Sequence, residues 1–63
     1  MKSNKIKEYR RKANLTQEEL GVKIGMSQEA VAQYESGSRT PNIFIALRIS
    51  KALGASLESI FAP

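Results

Sequence analysis

Gln28, Glu29, Ala32, Gln33 and Ser36 fall at spacings that place them along one side of a helix, at about 100° per residue. Ala30, Val31 and Tyr34 gather on the other side, where they can pack inward. The outward set offers amides, a carboxylate, a methyl and a hydroxyl, with no Lys or Arg. A merely solvated helix usually carries lysines and ion pairs on such a face. An amide can make paired hydrogen bonds to adenine N6 and N7, a carboxylate can accept from cytosine N4, and a methyl can touch that of thymine. The face is therefore suited to reading base edges, provided that other groups hold the phosphates. Glu29 is the awkward member, because phosphates repel a carboxylate. It fits only against a cytosine or beside a cation.

Groups able to hold phosphates are present. Lys and Arg total 10 against 6 acidic residues, for a net charge of +4. Lys2, Lys5, Lys7, Arg10, Arg11 and Lys12 crowd the start of the chain against Glu8 alone. A basic end on a nearly neutral body suits contact with a phosphate backbone. A solvated basic helix accounts for the same charges.

Other chemistries are excluded or unsupported. The chain has no His, Cys or Asp, so it cannot build a His-based triad, a His/Cys zinc site or a disulfide. No cofactor, no metal and no enzymatic activity are expected. Glu18 and Glu19 form a carboxylate pair, but helix capping accounts for Glu19 and solvent for Glu18. The longest apolar run, Ile43 to Leu47, is far shorter than the roughly 20 residues of a membrane span. No apolar signal-peptide core follows the basic start, so a soluble, cytoplasmic protein is expected. Sixty-three residues allow one small domain, 1–63, which buries only about 60% of the surface of its unfolded chain.

Five helices must position the reading face. Apolar residues recur at three and four rather than two, which predicts an all-α fold without strands. The first helix is expected from about Ser3 to Ala13, with Ile6, Tyr9 and Ala13 inward. Arg10 lies near that stripe, an odd place for a charge. Thr16-Gln-Glu-Glu19 is a capping box opening the second helix, and Gly25 ends it. Gly21 leaves room for another helix to approach. Ser27 caps the third helix, Gln28 to Ser36, and Gly37 stops it. Thr40 as cap and Pro41 at the first helical position start the fourth, which runs to about Leu53. Its expected inner surface is Ile43, Ala46, Leu47, Ile49 and Leu53, while Phe44 falls between Arg48 and Lys51 on the polar side. Ser56 caps a last short helix carrying Leu57, Ile60 and Phe61.

Two short helices joined by a glycine-containing turn, over about residues 16–36, match a helix-turn-helix. Thr16-Gln-Glu-Glu-Leu-Gly, the turn at Gly25, Tyr34-Glu-Ser-Gly37 and the closing Ala52-Leu-Gly54 occur in order. In that order they resemble the Cro and phage-repressor (XRE-type) helix-turn-helix family over nearly the whole chain. The resemblance implies a compact five-helix, lambda-repressor-like bundle that binds double-stranded DNA and regulates transcription, acting as a repressor. It implies that Gln28, Glu29, Ala32 and Gln33 meet bases in the major groove. Gln17, Ser27, Ser36, Ser38 and Arg39 would contact the backbone, and Arg10 would pair with Glu35 to orient the third helix. The family more often has a polar residue at the position of Phe44. Phe44, Ile45 and Phe61 are accordingly expected at a homodimer interface, giving the two-fold symmetry to read a palindromic operator. The same fold also serves antitoxins and bridging coactivators, in which a protein partner dominates.

Overall fold

Short polar side chains decide where the helices start. The computed structural model describes residues 4–62, which form α1 (Ile6–Lys12), α2 (Gln17–Ile24), α3 (Gln28–Ser36), α4 (Ile43–Leu53) and α5 (Leu57–Phe61). No strand occurs among the described residues. Thr16 Oγ1 accepts from the Glu19 amide at 3.0 Å, and Glu19 Oε1 accepts from the Thr16 amide at 2.9 Å. The expected capping box is thus complete. Ser27, Asn42 and Ser56 each accept from the amide three residues on, and such a cap stabilises its helix by about 1 kcal/mol. At the other ends, Gly25, Gly37 and Gly54 take positive φ, the region that a glycine enters without a Cβ clash.

Two helix boundaries differ from expectation. α4 begins at Ile43, not Pro41, because Asn42 is the cap and its Oδ1 accepts from the Ile45 amide at 2.8 Å. Asn outranks Thr at this position. α1 begins at Ile6, and Ser3, expected to lie in it, is outside the described residues. Asn4 Oδ1 accepts from the Ile6 amide while Asn4 Nδ2 donates to the Tyr34 carbonyl at 2.9 Å. One side chain therefore links the start of α1 to α3.

The core takes Ile6 from α1, Leu20 and Ile24 from α2, Ala30, Val31 and Tyr34 from α3, Ile49 and Leu53 from α4, and Ile60 from α5. The amide of Lys5 donates to the Ile60 carbonyl at 2.8 Å, joining the first helix to the last. Ala13, expected inward, caps the end of α1 and is exposed. Ile43 and Leu47, also expected inward, are 57% and 42% exposed. Ala46, Ile49 and Leu53 set the buried arc of α4, and Ile43 and Leu47 lie roughly 90° and 130° around from its middle.

The turn between α2 and α3 is held very closely. A Cβ on Gly21 would stand 2.6 Å from the Met26 carbonyl oxygen and 3.3 Å from main-chain atoms of Ser27. Gly21 does admit a close neighbour, but the neighbour is the turn leading into α3 rather than another helix. From α4, Arg48 Nη1 donates to the Ile24 carbonyl at 3.3 Å, satisfying one of the free carbonyls at the end of α2.

Candidate nucleic-acid interface

α3 is nine residues long and turns its Ala30, Val31 and Tyr34 edge into the core. Gln28, Glu29, Gln33 and Ser36 are exposed and Ala32 is half-buried. The amide-rich side therefore looks outward, with Gln28 and Gln33 both open to solvent. Ser27 stands exposed at the amino end of this face, with its hydroxyl accepting from the Ala30 amide.

A polar network fixes this helix on the body of the protein. The Arg10 guanidinium donates through Nε to Glu35 Oε2 and through Nη2 to Glu35 Oε1. The two side chains are 9% and 4% exposed, so the charge on the inner stripe of α1 is matched inside the protein. Arg10 Nη1 also donates to the Leu15 carbonyl at 2.7 Å, holding the α1–α2 connection. Glu35 Oε1 accepts a further bond from Gln17 Nε2 at 3.0 Å. Gln17 Oε1 in turn lies 3.5 Å from Gln28 Nε2, at the outer limit of a hydrogen bond. Four side chains from three helices are thus linked from the buried ion pair to the first residue of the outward face. Removing one partner of a buried, hydrogen-bonded pair costs about 3 to 5 kcal/mol, because a charge is left without compensation.

Gln17 differs from expectation in one respect. One N–H of its amide is committed to Glu35, leaving the second N–H and the main chain at the start of α2 to meet an anion. The loop after α3 is ordered by the Gln33 carbonyl, which accepts from Ser36 Oγ, Ser38 Oγ and the Arg39 amide. The Arg39 guanidinium lies over the Tyr34 ring, 5.4 Å from its centre, so an exposed cation is held beside the end of α3. Ser36 at the end of α3 is therefore brought together with Ser38 and Arg39 of the loop that follows.

The basic start is less available than its composition suggests. Arg10 faces inward, Lys12 pairs with Glu8 at 3.6 Å and covers the Tyr9 ring, and Lys2 lies outside the described residues. Lys5, Lys7 and Arg11 remain exposed.

The three residues expected at a dimer interface are placed differently from one another. Phe44 is 71% exposed, whereas Ile45 and Phe61 are half-buried against the core. Phe61 also lines an apolar groove of about 370 Å³ with Thr40, Pro41, Ile43, Ala46 and Leu57. Ile43 and Leu47 join Phe44 on the exposed apolar surface, which the sequence reading missed.

Among the described residues, no group of three or more His, Cys, Asp or Glu side chains is arranged to hold a metal ion. No helix among them is long and apolar enough to cross a membrane.

A family model described as helix-turn-helix matches residues 6–60. The chain is 41% identical over 58 residues to the HTH-type transcriptional regulator MJ0272 of Methanocaldococcus jannaschii, itself uncharacterized; the match covers 92% of this chain and 88% of that protein. It is 38% identical over 58 residues, with the same coverage of both chains, to the uncharacterized HTH-type regulator YgzD of Bacillus subtilis. Among solved structures, the P22 c2 repressor protein in complex with a synthetic operator superposes with a TM-score of 0.88 at 33% identity. That match covers 92% of this chain and 88% of the repressor chain.

Proposed function

The chain belongs to the helix-turn-helix family of the Cro and phage-repressor type, and from that membership we propose that it is a sequence-specific, double-stranded DNA-binding regulator of transcription in the cytoplasm, acting as a repressor. The observation that carries this reading is the outward face of α3. It is rich in amides, free of cations, and anchored from behind by the Arg10–Glu35 pair. A duplex major groove accepts a helix of this width, and its base edges supply the complementary donors and acceptors.

Gln28 and Gln33 read adenines through paired hydrogen bonds, Glu29 accepts from a cytosine, and Ala32 meets a thymine methyl. Gln17, through its second amide N–H and the α2 amino terminus, holds a phosphate. Ser27, Ser36, Ser38 and Arg39 hold others on either side of α3. Bound in this way the protein covers promoter DNA and blocks transcription. Two copies, associated through Phe44 together with Ile45 and Phe61, place their α3 helices in half-sites about 10 bp apart on a palindrome. Residues 1–63 act as one domain whose reading unit is 16–36.

Selection of bound duplexes from a random pool tests this directly. The expected result is a palindrome of two short half-sites containing A·T pairs. A pool that shows no enriched motif at low salt would remove the reading. A protein-interaction module on the same fold is the second reading, favoured by the exposed Ile43, Phe44 and Leu47. Weak DNA binding at all salt concentrations, beside tight capture of one protein partner, would select it.

A further inference from the structure

Lys23 from α2 and Arg48 and Lys51 from α4 converge on a cleft of about 290 Å³ that they line with Ala52. All three cations are exposed, and none takes part in an ion pair among the described residues. Glu19, four residues before Lys23 on α2, is the expected helical partner of that lysine. Its carboxylate turns back to the Thr16 amide instead. The Arg48 guanidinium is held in place by its bond to the Ile24 carbonyl. Cations near helix carboxyl ends offset the helix dipole, which accounts for the sign of each charge. It does not account for three of them meeting around one hollow.

The position and chemistry of the cleft narrow its occupant. Lys23 lies about 200° around α2 from Gly21, the residue that packs on the turn into α3, so the cleft is on the far flank from the reading helix. A compact phosphate is usually gripped by main-chain N–H groups at helix amino ends. This cleft runs beside the last turns of α2 and α4, whose free main-chain groups are carbonyls. Side-chain cations spread over two helices suit several separate carboxylates. We infer that the cleft is a docking site for an acidic segment of a partner protein, whose carboxylates pair with Lys23, Arg48 and Lys51. The site goes beyond the DNA reading and does not depend on it.

Titrating the isotope-labelled full chain with a short synthetic peptide of repeated Glu-Glu-Leu, followed by amide NMR shifts, tests the site. The expected result is a set of shifts confined to Lys23, Arg48, Lys51 and Ala52. Joint Lys23→Gln and Lys51→Gln substitution is expected to weaken the peptide roughly tenfold. Thermal unfolding should be unchanged; should the double variant not fold, Lys51→Gln alone carries the same comparison, with a smaller loss of affinity. No binding, shifts centred on Lys5, Lys7 and Arg11 of the amino-terminal region, or unaltered affinity in the folded variant would overturn the proposal. So would the same cleft shifts produced more tightly by inorganic phosphate alone or by a random duplex.

Discussion

α3 and α4 lie in the same small bundle, yet their exposed sides are built on opposite rules. α3 shows water an amide-rich face without a cation, and the burial of Ala30, Val31 and Tyr34 is reinforced by hydrogen bonds running from Arg10 through Glu35 to Gln17. α4 shows Ile43, Phe44 and Leu47 together with Arg48 and Lys51, and it is seated by the burial of Ala46, Ile49 and Leu53 with the single Arg48 bond to Ile24 beside it. Core packing already restricts the angle at which a helix sits, and directional bonds add a further restraint on top of it. A helix that must meet a ladder of base edges in register benefits from that added restraint. A helix that meets a partner through an apolar surface has less need of it.

Substitutions can break or sharpen that contrast. The largest expected effect is that of Arg10→Ala, which strands the Glu35 carboxylate inside the protein. Unfolding by urea should show a loss of about 3 to 5 kcal/mol. A loss within the error of the midpoint would mean that the network does not hold α3. Gly21→Ala forces a methyl against the Met26 carbonyl, and calorimetry should show a destabilisation of about 1 to 3 kcal/mol as the turn shifts. Gln33→Ala should leave stability unchanged and cost about 1 to 3 kcal/mol of discrimination at one base-pair position, read by competition binding against operator variants. An evenly weakened profile would make that side chain a backbone contact instead. Arg39→Ala is expected to weaken binding to all sequences alike and to lower the slope of log affinity against log salt by about one unit. Smallest in folding terms is Phe44→Ser, which should change stability by less than about 0.5 kcal/mol. Its effect belongs in sedimentation, as a shift from dimer to monomer. An unaltered dimer would separate Phe44 from self-association.

The contrast also explains what could be read in advance. Thr16, Ser27 and Ser56 begin helices, and Gly25, Gly37 and Gly54 end them, each through chemistry contained within a few residues. That locality makes α2 and α3 legible nearly to the residue. α4 was less so. Thr40-Pro41 and Asn42 are both plausible starts, and the apolar run from Ile43 to Leu47 has no period of its own. Its buried arc emerges only when the helix is packed. Two long-range polar contacts left no local trace: Asn4 reaches Tyr34 and Arg48 reaches Ile24 across many residues. The Arg10–Glu35 pair showed itself only as a charge out of place on an apolar stripe, completed by a family resemblance. The bond from Gln17 to Glu35 is likewise one that no spacing rule predicts.

The bond between the Lys5 amide and the Ile60 carbonyl has a practical consequence for engineering. It seats the start of α1 beside the end of α5, so a probe on Lys5 and one on Ser59 would sit at one corner of the bundle. A short covalent bridge from the end of α5 back to the start of α1 would therefore have little distance to span.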